Sequence, residues 1–154
     1  ADPHTSAVFS NITFVGPKMG DKNFVNDASY ITAGAYNPNN GSGLGRFQSG
    51  IQIRRDSHLS CFNSVVVGWP VGLIVDKQLG DCQGAATNGL LKLQNLWFDV
   101  TGYRPTAASP LLSAASFTDA LLAGFEKVAY VGAFGNGADW TANWTNFDPQ
   151  NTQY

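Results

Sequence analysis

The chain has 154 residues and a net charge of −2, and only 13% of its residues are charged. That length suits one domain with one core, and the lack of a basic field excludes nucleic acid as a partner. No apolar run approaches the roughly 20 residues that a membrane helix requires, so membrane insertion by a helix is excluded too. Seventeen glycines, with abundant Asn, Ser and Thr, take the place of charge. This composition suits β structure with many tight turns, and an exported protein. The chain starts at Ala1-Asp2-Pro3 and shows no secretory leader, which reads as a processed chain or as the C-terminal part of a longer one.

Residues 6–17, SAVFSNITFVGP, alternate in polarity and read as strand, with a bend at Asn11 and a stop at Gly16-Pro17. Residues 18–48 break that pattern; 37–43, NPNNGSG, is turn chemistry throughout, so a long loop is expected, with a short strand at Ser29–Ala33. Asp21, Asn23, Asn26 and Asp27 are hard oxygen donors of the kind calcium uses. Asn26 falls where an EF-hand loop needs Gly, however, and Thr32 where it needs Glu, so a solvated loop is the simpler reading and Ca2+ the alternative.

The stretch Gly50 to Lys77 holds three apolar runs, Ile51–Ile53, Leu59–Val67 and Val71–Val75, parted by 54–58 and 68–70. Each is too short for a helix and is rich in β-branched residues; three strands and two bends amount to about one coil of a solenoid. Residues 78–90 read as a return loop and Leu91–Val100 as the next strand, with the Trp97 and Phe98 rings on opposite faces. Ser109-Pro110 is a helix start, and Leu111, Leu112, Ala115, Leu121, Leu122 and Phe125 follow at helical spacing, which predicts a short α-helix near 110–124. Lys127–Phe134 reads as a last strand. The tail with Trp140, Trp144 and Phe147 reads as an aromatic C-terminal cap, or alternatively as a sugar-stacking platform built on Trp140 and Trp144.

A repeat joins these segments. Setting Asn11 on Asn63 superposes FSNITFVG on CFNSVVVG, with Phe9 on Cys61, Val15 on Val67 and Gly16 on Gly68; setting Asn95 there adds LKLQNLWFDV, with Leu93 on Cys61. A weaker copy lies at 126–132, where Lys127 replaces the Asn, and the successive offsets are 52, 32 and 32 residues. The expectation is an all-β, single-domain parallel β-helix (solenoid) over 1–154, with Phe9, Cys61 and Leu93 in one inward row and Asn11, Asn63 and Asn95 in a ladder at one bend.

Chemistry is sparse. Arg54, Arg55, Asp56 and His58 form the strongest polar cluster, at a bend between two strands. It reads as a salt-bridged turn, or else as a catalytic acid/base group or a site that binds an acidic sugar. Cys61 and Cys82, twenty-one residues apart, are a disulfide candidate, or else an inward apolar residue and a loop thiol. G-x-S-x-G, H-E-x-x-H, P-loop and CxxC motifs are absent, and 11–13 and 143–145 match the N-glycosylation triplet.

The segments IQIRRDSHLSCFNSVVVGWPVGLIVD, SNITFVGPK and DWTANWTNFDPQNTQY together resemble the C-terminal part of secreted or surface-exposed proteins of Bacteroidetes that are thought to carry a right-handed parallel β-helix. The resemblance implies export and an outer-surface or extracellular location, and no activity. The expected function is therefore that of a non-enzymatic structural or adhesive protein. Its open coil end would be covered by upstream coils, by another protein chain, or by self-association into a homo-oligomer. The alternative is a carbohydrate-active enzyme or carbohydrate-binding domain acting on an acidic polysaccharide, with glycans as partners.

Overall fold

A computed structural model of the chain describes residues 4–19, 49–69, 71–77, 79–99, 104–137, 139–142 and 145. Six strands form among them: β1 (Val8–Ser10), β2 (Thr13–Val15), β3 (Ser49–Ile53), β4 (Ser60–Val67), β5 (Val71–Val75) and β6 (Leu93–Asp99). One short α-helix, α1 (Cys82–Thr87), follows β5. All strand pairing is parallel. β1 and β2 lie end to end along one side of β4, and β6 lies along the other, giving a four-stranded sheet; β3 and β5 form a second sheet of two strands.

The register follows the repeat seen in the sequence. Phe9 pairs with Cys61 and Cys61 with Leu93, while Val15 pairs with Val67. Asn11, Asn63 and Asn95 occupy one level of the three rungs, at φ values of 58, 47 and 55°. This left-handed region is where Asn is tolerated better than other residues with a side chain. Each Asn kinks its strand, and β1 and β2 are separate strands because of the kink at Asn11. Where the ladder breaks, the Ile12 N–H donates to Ser64 Oγ at 3.1 Å in place of a backbone carbonyl.

β4 is buried along its whole length, which explains its nearly continuous apolar sequence. One face, with Cys61 and Val66, packs on Ile51 and Ile53 of the second sheet and on Cys82 and Ala85 of α1. The opposite face, with Val65 and Val67, packs on Val131, Leu111, Ala114 and Ala115. Gly50 and Gly72 lie level with each other in the second sheet and let the first approach. A Cβ on Gly50 would stand 2.3 Å from Val66 Cγ1, and one on Gly72 2.2 Å from the Phe98 ring.

These findings correct the expected architecture. The described residues do not build a right-handed parallel β-helix (solenoid), whose walls would each be a continuous sheet. Two parallel sheets form, and the wall over the outer face of β4 is irregular chain. The α-helix expected near 110–124 is replaced by two 3-10 turns, Pro110–Ser113 and Ala120–Leu122. Ser109 caps the first and Asp119 caps the second, so the run is split. Between them the Ala114 and Ser116 carbonyls accept hydrogen bonds from Asn95 and Asn63, at 2.7 and 2.9 Å, instead of from a helical turn.

Lys127–Phe134 forms bends and not a strand. Its donors go elsewhere, Val131 N–H to Leu111 O and Gly132 N–H to Asn63 O, both at 2.8 Å. The return loop at 78–90 carries α1, started by Asp81, whose side chain accepts from the Gly84 N–H. Of the expected aromatic cap, Trp140 is described, and its ring stacks on Phe134 with centroids 5.7 Å apart. Trp144, Phe147 and the strand expected at Ser29–Ala33 lie outside the described residues.

Candidate functional site

The bend between β3 and β4 divides the expected four-residue cluster. Arg54 turns toward the end of the second sheet, its Nε 4.0 Å from Asp76 Oδ2, while Arg55 is exposed. Asp56 and His58 turn instead toward His4. The two imidazole rings stack at 4.2 Å with only 8° between their planes. His4 Nδ1 lies 2.9 Å from the backbone carbonyl of Asp56 and 3.5 Å from its Oδ2.

Backbone pairing creates this meeting. The β1–β4 register sets Val8 against Ser60, and the ladder continues backward through the His58 N–H, which donates to Thr5 O at 2.8 Å. The same offset carried further back brings His4 level with Asp56. Arg55 and Asp56 both hold positive φ, 55 and 63°, a costly bend that accompanies the approach of the Asp56 side chain to His4. Gly80 presses against that bend: a Cβ there would stand 2.4 Å from Asp56 N. The neighbouring Asp81 N–H donates to Asp56 Oδ1 at 3.3 Å.

His4 was not singled out in the sequence. The signal that identifies it is the 52-residue offset between Asn11 and Asn63, which also separates His4 from Asp56. The Ca2+ donors Asp21, Asn23, Asn26 and Asp27 lie outside the described residues.

The disulfide expectation is corrected. Cys61 and Cys82 are free thiols, both buried in the core between the sheets and α1, where they serve as small apolar side chains. Burial pushes the Cys61 thiol above its ordinary pKa, which makes it a poor nucleophile. Trp140 is 56% exposed and its indole N–H donates to Ala133 O at 2.9 Å, so one ring face is held in place at the surface.

A second feature lies further along the same ladder. Phe9, Ile12, Phe14, Gly50, Ile51 and Leu59 line an apolar cavity of about 230 Å³ between β1–β2 and β3. Among the described residues no strand pairs with the outer edges of β1, β2 or β3. Phe9, on that edge, is 40% exposed.

Comparison with known proteins adds no relative. No family model matches the chain. No curated protein matches it, and no solved structure does.

Proposed function

We propose that this chain is a non-enzymatic structural protein of the cell exterior that self-associates edge to edge through β1 and β2. The observation that carries this reading is the apolar cavity opening at a sheet edge that, among the described residues, no strand pairs. A monomeric protein usually guards such an edge with Lys, Pro or a covering element. Here VFS and TFV hold no charge and no proline, and Phe9 stands half-exposed beside the opening.

A second copy is the occupant whose chemistry fits best. It offers the same sheet edge and the same apolar rim, so a two-fold contact would join both at once. A net charge of only −2 puts little repulsion between copies. The low charge and the resemblance to exported Bacteroidetes proteins support an extracellular setting.

Light scattering after size exclusion tests the reading. The expected result is a concentration-dependent dimer that Phe9→Asp returns to monomer with its circular dichroism spectrum unchanged. A wild-type chain that stays monomeric at the highest soluble concentration overturns it. The acidic-glycan reading is less well supported, because Arg54 faces Asp76 while Asp56 and His58 turn toward His4.

A further inference from the structure

The His4, Asp56 and His58 cluster has a chemistry that edge pairing does not use. One ligand atom from each of the three side chains lies within 4.8 Å of the others, and all three residues are half-buried. Two imidazoles and a carboxylate are donors of intermediate softness, suited to first-row transition cations and ill-suited to calcium or magnesium, which select oxygen. We propose that these three residues bind one zinc-class divalent cation, with a coordination position left for water or an incoming ligand.

The surroundings orient the donors. A carbonyl oxygen can only accept, so the 2.9 Å contact of His4 Nδ1 with Asp56 O places the proton on Nδ1 and the lone pair on Nε2. Orientation of a metal-binding imidazole by a hydrogen bond at its other nitrogen is the usual arrangement at such sites. Asp56 is oriented in the same way, Oδ1 taking the Asp81 N–H while Oδ2 faces the rings.

His58 is fixed through its backbone bond to Thr5 and by stacking on His4. Bonds of about 2.0–2.1 Å in a tetrahedron put ligand atoms roughly 3.3 Å apart, and each imidazole binds through a lone pair in its ring plane, so to close on an ion the cluster must contract by an ångström or so and the two rings must turn out of their parallel stack. His4 lies ahead of β1, outside the regular strand, and can supply that movement.

Zinc titration by isothermal calorimetry on tag-free protein tests the site, with cobalt absorption as a spectroscopic check. The expected result is one ion per chain, a cobalt spectrum of low coordination number, and at least a tenfold weaker zinc affinity in both His4→Gln and Asp56→Asn. Asn tolerates the left-handed backbone of position 56 and keeps an acceptor for the Asp81 N–H, so Asp56→Asn tests the ligand without breaking the bend. Zinc should also raise the melting temperature of wild type and not of the variants. Failure to bind zinc overturns the proposal, as does binding that neither substitution weakens, or displacement of zinc by equimolar calcium.

Discussion

Asn63 is fully buried and uses its whole side-chain amide. Its Nδ2 donates to Ser116 O at 2.9 Å and to Ser10 Oγ at 3.3 Å, and its Oδ1 accepts from Asn95 Nδ2 and the Ser116 N–H at 2.8 and 2.9 Å. The flanking Asn11 and Asn95 bind the carbonyls of Tyr130 and Ala114, at 2.6 and 2.7 Å. The column therefore joins three rungs to each other and to the C-terminal segment. Asn63→Ala strands several of these groups without water and should cost about 3 kcal/mol or more, read from urea denaturation. Asn63→Gly loses the same bonds but relieves the positive φ, so it should be less damaging than Ala by about 1 kcal/mol. Equal losses for the two would show that the backbone conformation carries no cost of its own.

At the scale of elements, the separation between the sheets rests on Gly50 and Gly72. The neighbours that a Cβ would meet differ. Val66 is buried near the end of β4, while Phe98 is 52% exposed and has room to swing outward. Gly50→Ala should therefore destabilise by about 1–3 kcal/mol and Gly72→Ala by clearly less, measured as shifts in the denaturation midpoint. A second tie between elements is the ion pair of Lys92 and Asp119, with Nζ 2.7 Å from Oδ2, which holds the second 3-10 turn to the start of β6. The hydrogen bond from Lys92, and next that from the Leu121 N–H, keep the Asp119 carboxyl below its ordinary pKa. A carboxyl depressed on folding adds stability above its unfolded value, near pH 4, and that contribution is lost as pH falls through the folded value. Asp119→Asn should thus lower the melting temperature at neutral pH, and the gap to wild type should close progressively below about pH 4.

For the whole molecule, the two margins of the four-stranded sheet differ. The β6 margin holds Trp97, whose indole N–H donates to Asn95 Oδ1 at 2.9 Å, and Phe98, which lies over Gly72. The β1–β2 margin holds small and apolar side chains and the cavity beside them. Because this margin joins an edge that no described strand pairs with an open apolar space, association should be sensitive to Phe9 and insensitive to Trp97. Light scattering on Trp97→Ser beside Phe9→Asp separates the two margins. The His4, Asp56 and His58 cluster sits at the start of the same β1–β4 ladder, so ordering of the chain before β1 would affect both.

Residue pattern alone determined the strand runs, their parallel stacking and the shared level of Asn11, Asn63 and Asn95. Each is a local matter of alternation, β-branching and a turn-tolerant residue at a fixed offset. The closed solenoid, the helix at 110–124 and the strand at 127–134 were decided otherwise. The three stacked Asn amides, of which Asn63 is fully buried, needed partners, and they drew the Ala114, Ser116 and Tyr130 carbonyls out of regular structure to satisfy them. Only the tertiary structure also showed that Arg54 leaves Asp56 for Asp76, that both thiols are buried and unbridged, and that His4 joins His58. The physical reason is common to all of these. A side chain's environment is set by what lies across the ladder and not by its neighbours in sequence, and a buried polar group recruits whatever backbone can reach it.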